Sequence, residues 1–241
     1  MHKILTIVVA AGAGRRMRSE VPKQFLLLGG EPIVMRTLRR MAEGVGRYVA
    51  DCSQNVNEWV HKLVLVLPEA YIERWGELCA AHGFEVPHGV VAGGETRFQS
   101  VRRGLEAEPE AEWVLVHDGV RPFVADGVIR GVIEGARAGG AAVPVVPVVD
   151  SLRRGGGRGG GSVAVERGAF RAVQTPQGFR GELLRRAYTL PEEGGFTDDA
   201  SVVEALGGVE IGLAEGERQN IKITTGFDLS VAEMLLSEGW G

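Results

Sequence analysis

The chain is predicted to fold as an α/β protein built on a single, mostly parallel twisted sheet with helices on both faces. Three observations lead there. An unbroken apolar, β-branched run, Ile4 to Val9, opens the sequence and reads as a strand buried on both faces. Strand-like runs then recur with helix-patterned segments between them, the rhythm of a parallel sheet. A later run, Trp113 to Val116, passes straight into His117 and Asp118, as a buried strand does when it delivers polar residues to a sheet edge.

Taken in order, residues 62–67 make a second strand, stopped by Pro68, and residues 70–82 a helix with Ile72, Trp75, Leu78 and Cys79 on one side. A third strand is expected around 86–91. Gly93-Gly94 follows it, then a helix through Phe98, Val101 and Leu105. After the strand at 113–116, Val128, Val132, Ile133 and Ala136 mark the next helix. Residues 141–149 return as a strand whose Pro144 and Pro147 predict an edge or bulged position. Later come a helix through Leu183, Leu184 and Ala187, a strand at 220–225, and a helix from about Phe227 to Ser237. This order is Rossmann-like. In such sheets ligands sit at the carboxyl ends of the strands, so the loops after the first and fourth strands and Gly93-Gly94 should share one edge.

Two segments break the rhythm. Residues 44–61 are polar and read as an irregular surface insertion. Residues 151–172 carry an Arg- and Gly-rich stretch between two β-prone runs, which predicts a protruding hairpin arm on an otherwise single domain covering 1–241. An arm that cannot bury its own sides leans on another chain, so a homodimer is expected; the alternative is a floppy surface hairpin. Thr197, followed by Asp198 and Asp199, reads as a helix N-cap with two carboxylates at the positive end of the helix dipole, with a catalytic carboxylate pair as the alternative.

The most telling stretch follows the first strand. Ala10, Ala11, Gly12 and Gly14 bring the backbone to the surface with little side-chain bulk, leaving amide N–H groups free to approach an anion. Arg15, Arg16, Arg18 and Lys23 follow closely. Met17 stands where a dinucleotide fingerprint needs its third glycine, and Pro22 stops any helix there. Arg15-Arg16 is not the Gly-Lys-Ser/Thr of a P-loop. The cations and bare amides point to a polyphosphate site, against a plain tight turn with solvated arginines.

Whole-chain properties bound the function. With 44% hydrophobic and 24% charged residues the composition is globular, and a net charge of −4 argues against a nucleic-acid binder working through bulk electrostatics. No apolar run reaches the roughly 18 residues of a membrane span. The opening run leads into Gly-Ala-Gly-Arg-Arg rather than a cleavage site, and a cytoplasmic protein is expected. Cys52 and Cys79 make neither a disulfide framework nor a metal-ligand spacing.

Read together, the motifs resemble the 2-C-methyl-D-erythritol 4-phosphate cytidylyltransferase family of the non-mevalonate isoprenoid pathway. The resemblance runs through Ala-Ala-Gly-x-Gly-x-Arg-Met-x-x-x-x-Pro-Lys-Gln at 10–24, Gly-Gly-x-x-Arg-x-x-Ser-Val at 93–101 and Val-His-Asp-x-x-Arg-Pro at 116–122. It continues in Pro-Val-Val-Asp-Ser at 147–151, Thr-Pro-Gln at 175–177, Thr-Asp-Asp-Ala-Ser at 197–201 and Asn-Ile-Lys-Ile-Thr at 220–224. It implies transfer of a cytidylyl group from CTP to methylerythritol phosphate with release of pyrophosphate, assisted by Mg²⁺ bound mainly through CTP phosphates. By resemblance Arg16 and Lys23 stabilise the transition state. Ala10, Ala11, Gly12, Gly14, Gly94, Glu95, Ser100 and Asp118 contact CTP. Asp118, Arg121, Ser151, Arg167, Thr175 and Lys222 hold the acceptor, with Ser151 and Arg167 reaching into the partner's site. Protein ligands to the metal are not specified. Gly119 and Val120 replace the alanines common in the family's His-Asp-Ala-Ala-Arg-Pro motif, a change expected to loosen that loop.

Other functions make different demands. A transferase for ribitol 5-phosphate or another sugar phosphate shares the first loop. A Rossmann oxidoreductase needs an acidic residue ending its second strand, where Leu67-Pro68 stands. A non-catalytic nucleotide-binding module has no need of Arg16, Lys23, Arg167 and Lys222 together.

Overall fold

The structure is a computed structural model that describes residues 2–12, 21–52, 59–155, 160–192 and 195–240. The opening apolar run forms β1 (His2–Val9), and Ile4 to Val8 are sealed from solvent. A short hairpin, β2 (Leu27–Leu28) with β3 (Glu31–Pro32), precedes α1 (Ile33–Cys52). β1 is the centre of the sheet. β4 (Trp59–Leu67) lies parallel on one side, with β5 (Gly89–Ala92) outside it, and β6 (Trp113–Asp118) lies parallel on the other. Beyond β6 come β11 (Gln177–Arg180), β7 (Ala141–Pro147) and β12 (Gly212–Glu215). β10 (Arg171–Val173) pairs with the far end of β7. Only β10 and β11 run against the common direction, so the sheet is mixed but mostly parallel.

The period of two along β1 divides the core. Ile4 and Val8 point into a cluster closed by α1, α2 (Ile72–His82) and α4 (Asp126–Gly139). Leu5 and Ile7 point the other way, toward α3 (Arg97–Glu106), α5 (Gly181–Ala187) and α6 (Asp199–Glu204). A third cluster seats α7 (Gly226–Ser237) on the β2–β3 hairpin through Leu28, Ile33, Ile223 and Leu235. Helices therefore cover both faces, as expected from the alternation.

Several local expectations need correction. Residues 44–52 are not an irregular insertion: they are the last turns of α1, with Gly44, Val45 and Tyr48 buried. Gly44 marks a close crossing rather than a loop, since a Cβ there would stand 2.4 Å from Ile129 Cδ1 on α4. β4 then takes up residues 59–61, and residues 53–58 of the expected insertion lie outside those described.

The two prolines of β7 do not put it at an edge, because β11 and β10 pair on one side and β12 on the other. Pro144 accepts from the Gln174 N–H at 2.8 Å. Carbonyl and N–H of one strand residue face the same way, so the missing donor of Pro144 points at the break between β10 and β11, where no ladder bond is lost.

Residues 220–225 are not a strand either. The Ile223 N–H reaches Val120 O at 3.0 Å, but the alternating Ile221 and Ile223 pack against the α7 cluster instead of joining the sheet. The place beside β7 belongs to β12, which its weak pattern did not announce.

The 151–172 segment does contain a hairpin, β8 (Arg153–Gly155) with β9 (Ser162–Ala164), followed by a 3-10 turn at Arg167–Ala169. Every residue of both hairpin strands is exposed.

Candidate active site

The strand order reverses at β1, and the two strands beside that switch point end together. Val9 pairs with Asp118 and Val8 with His117 in register. Past Val9 the backbone of Ala10 is tied twice: its N–H donates to Val66 O at 2.9 Å, and its carbonyl accepts from Gln24 Nε2 at 2.8 Å. Ala11 is wedged against Gly93, where a Cβ would fall 2.6 Å from the Ala11 Cβ. Small residues on both sides are thus what lets the first loop and the Gly-Gly turn meet.

Loop 118–121 closes the other side. Gly119 donates to Val9 O at 2.9 Å, its carbonyl accepts from Thr37 Oγ1 at 3.2 Å, and a Cβ on it would stand 2.9 Å from Ala10 Cβ. Val120 is buried. The expected loosening is absent, since the glycine is what permits close packing here.

Between these loops opens a cleft. Ala10, Ala11, Gly12, Lys23 and Gln24 line one wall, and Glu95, Ser100, Asp118 and Lys222 are among the residues of the other. Lys23 opens a 3-10 turn (Lys23–Phe25) behind Pro22. Gly14 and Arg16 lie outside the described residues. Ser100 is fully buried and braces the turn: its hydroxyl donates to Thr96 O at 2.8 Å and accepts from Gly94 N at 3.1 Å. The Glu95 N–H is held by Gln99 Oε1 at 3.0 Å. Thr96 caps α3 through the Gln99 N–H.

A charge cluster marks the floor. Asp118 Oδ2 lies 3.0 Å from Lys222 Nζ and 3.2 Å from Arg121 Nε, and Arg121 Nη1 also donates to Asn220 O at 2.6 Å. Burial alone would raise the Asp118 pKa. Lys222, Arg97 and Arg121 outweigh that and hold the carboxyl well below the usual carboxylate range. Two cations against one carboxylate leave this floor positive, which suits phosphate.

His117 and Thr175 fix Asp118 from behind. His117 Nε2 faces the carbonyl of Arg121 at 3.0 Å, and a carbonyl can only accept, so Nε2 carries the proton. Nδ1 then accepts from the Thr175 hydroxyl at 3.0 Å, and that oxygen accepts from the Asp118 N–H at 3.1 Å. Burial pushes the His117 pKa down to about 4, consistent with a neutral ring. Thr175 thus serves as an anchor for Asp118 as well as a lining residue.

The cleft continues beyond the Asp118 cluster, where Arg97, Arg121, Gln174, Thr175, Thr197, Asp198 and Lys222 line a second recess. Asp198, not Thr197, is the N-cap of α6, in a reciprocal box with Ser201. Thr197 is set free to face the recess. Asp199 is fully buried and accepts both guanidinium nitrogens of Arg97, at 2.8 and 2.6 Å, and the Tyr188 hydroxyl at 2.6 Å.

The structure therefore gathers Ala10, Ala11, Gly12, Lys23, Glu95, Ser100, Asp118, Arg121, Thr175 and Lys222 around one cleft, with Gly94 in its turn. Ser151 and Arg167 are exposed on the arm and do not line the cleft of their own chain; Arg167 Nη1 bonds the Val149 carbonyl. Sequence reasoning missed Gln24, Arg97, Gln174, Thr197 and Asp198 as lining residues. Arg97 was legible as the arginine of the Gly-Gly-x-x-Arg motif, and Thr197-Asp198 as polar residues beyond a cap's needs.

An open sheet whose order reverses beside a glycine-lined, cation-bearing cleft defines an α/β nucleotide-phosphate-binding protein. Among the described residues no histidine or cysteine lines that cleft. The chain belongs to the 2-C-methyl-D-erythritol 4-phosphate cytidylyltransferase family, whose model matches residues 4–238. It is 48% identical over 230 residues to the protein of that name from Bacteroides thetaiotaomicron, covering 95% of this chain and 98% of the relative. The Bacteroides fragilis protein of the same name is 46% identical over the same length and coverage. Among solved structures, the enzyme of that name from Thermus thermophilus is similar, with a TM-score of 0.71 and 36% identity, covering 98% of this chain and 100% of that one. The 4-diphosphocytidyl-2C-methyl-D-erythritol synthase of Anaerococcus prevotii gives a TM-score of 0.80 at 25% identity, covering 98% and 99%.

Proposed function

We propose that this chain transfers the cytidylyl group of CTP to 2-C-methyl-D-erythritol 4-phosphate, giving 4-diphosphocytidyl-2-C-methyl-D-erythritol and pyrophosphate, in the non-mevalonate route to isoprenoids. The observation that carries the chemistry is the Asp118 cluster. It stands between a nucleotide-sized wall of bare backbone and a second polar recess, so two phosphorylated substrates can meet over one positive floor.

An acceptor phosphate oxygen attacks the α-phosphorus of CTP in line. A new P–O bond forms, the bond to the β-phosphate bridge breaks, and pyrophosphate leaves. The acceptor is already ionised at neutral pH, so no general base is required. Catalysis is positioning plus fixed positive charge at a centre that gains negative charge. Lys23, with Arg16, is assigned to that charge. Lys222 and Arg121 fit the acceptor side, and the backbone of Ala10 to Gly12 with Gly94 and Glu95 fits the cytidine side.

The residues fit a substrate-borne Mg²⁺. Among the described residues no cluster of three acidic, histidine or cysteine side chains forms a cage, and the floor offers one carboxylate. One carboxylate with phosphate oxygens and water is an ordinary Mg²⁺ environment. Asp118 would hold the ion, directly or through water, beside the CTP phosphates, where it would neutralise charge on the leaving group.

The homodimer belongs to this proposal as well. The arm buries neither side, and Val163, Phe170, Val173 and Leu213 present large apolar surfaces along the arm and the neighbouring strands. A second copy laid there would bring Ser151 and Arg167 to the partner's acceptor recess. Among the described residues no helix is long and apolar enough to cross a membrane.

The test is pyrophosphate release with CTP, Mg²⁺ and methylerythritol phosphate, with ribitol 5-phosphate and the other nucleoside triphosphates run alongside. Release confined to CTP and methylerythritol phosphate is expected. Release with ribitol phosphate instead would move the acceptor, and silence from every pair would overturn catalysis.

A further inference from the structure

Arg97 sits where the two halves of the cleft join. It follows the cap of α3, one turn from the Gly-Gly loop, and it lines both the nucleotide wall and the acceptor recess. Its side chain is 31% exposed while that of Asp199 is 0%, so one end of the pair faces the cleft and the other is sealed. Asp199 is the first residue of α6, immediately after Thr197 and Asp198, which line the acceptor recess.

The segment 196–199 is anchored from two sides, besides its own cap and the Tyr188 hydroxyl on Asp199. Gln177 on β11 holds it from the sheet: its Oε1 accepts from the N–H groups of Asp199 and Ala200, and its Nε2 donates to Asp198 Oδ2. From the nucleotide side it is held by α3, through the Arg97 fork and through Phe98, which stacks on Phe196 at 5.8 Å and on Tyr188 at 4.6 Å. A bidentate guanidinium–carboxylate pair fixes angle as well as distance. Burial of its carboxylate makes the pair costly to break.

We infer that the Arg97–Asp199 pair is the joint between the two half-sites, and that Arg97 is a positioning residue: it sets the acceptor-side segment 196–199 at a fixed height over the nucleotide loop. A joint of this kind acts on the acceptor's approach to the α-phosphorus, where a displacement of about an ångström can cost on the order of a hundredfold in rate. This rests on the proposed reaction.

Two variants test it. Arg97→Lys keeps the charge but loses the fork. Asp199→Asn keeps the shape and the Tyr188 bond but loses the charge, so if one variant folds poorly the other still reports. Both should raise the KM for methylerythritol phosphate about tenfold or more and lower kcat, with a smaller rise in the KM for CTP. Amide exchange across 198–204 should quicken in Arg97→Lys while that of α3 stays as in the wild type. A pair that served only stability would lower the melting temperature and leave both KM values unchanged in the folded fraction, which would overturn the inference. So would an equal rise in both KM values. If the wild type itself releases no pyrophosphate from CTP and methylerythritol phosphate, the proposed reaction fails, and unchanged exchange at 198–204 in Arg97→Lys would then overturn the joint by itself.

Discussion

His117 holds the backbone beside the cleft without lining it. Burial keeps its ring neutral, a carbonyl on one nitrogen and a hydroxyl on the other fix its tautomer, and through Thr175 it holds the Asp118 backbone. A folded pKa of about 4 against roughly 6.5 in the unfolded chain means that the unfolded chain takes up the proton first. The associated stability is fully present above about pH 6.5 and is lost as pH falls toward 4, by up to about 3 kcal/mol. Urea midpoints measured between pH 7 and 4.5 should fall with pH, and His117→Gln should flatten that profile while His61, also pushed down to about 4 by burial, keeps its share. A profile of unchanged slope in the variant would refute the neutral, buried ring. Asp118 weighs little in this window, because a depressed carboxylate loses its stabilisation only as pH falls through its unfolded value of roughly 4 and below. Lys23 is a separate case. Lys23→Ala should cut pyrophosphate release about a hundredfold or more with an unchanged circular dichroism spectrum, and near-normal turnover would remove it from the transition state.

At the scale of elements, the cleft depends on loops that approach one another without side chains between them. Gly93→Ala would set a methyl group 2.6 Å from Ala11 Cβ and 2.9 Å from Ser100 Oγ. The turn must then move away from the first loop, and the KM for CTP should rise about tenfold with a smaller effect on the acceptor. An unchanged KM for CTP would separate this turn from the nucleotide. Elements of this edge were legible in the sequence where apolar runs are long: β1, β4, β6, α3 and α4 fall where the pattern puts them. Those set by contact were not. The end of α1 looked irregular because its glycines suggest a loop, yet Gly44 is there to let α4 pass. The cap of α6 moved from Thr197 to Asp198 because Ser201, three residues on, completes a box with Asp198, and Gln177, far along the chain, holds the same carboxylate.

For the molecule as a whole, the arm is the part that the single chain leaves without a use. Both of its strands are exposed, and Ser151 and Arg167, proposed for the acceptor, lie away from their own cleft. Shortening the hairpin across 153–164 should convert a dimer to a monomer in light scattering and abolish most turnover. A fully active monomer would show that Ser151 and Arg167 are not needed in trans. Arg167→Ala in the full chain should raise the KM for methylerythritol phosphate more than that for CTP, and an equal effect on both would count against its place at the acceptor.

The sequence by itself determined the α/β class, the order of the main strands and helices, and the small and cationic residue types of the first loop. Those follow from local periodicity and from residue types whose backbone freedom or charge is intrinsic. Only the tertiary structure decided that β7 is internal despite its prolines, that residues 220–225 pack without joining the sheet, and that Arg97 meets Asp199. Each of these depends on which hydrogen-bonding or charged partner folding brings close from far along the chain, and a partner 102 positions away leaves no mark on the local pattern.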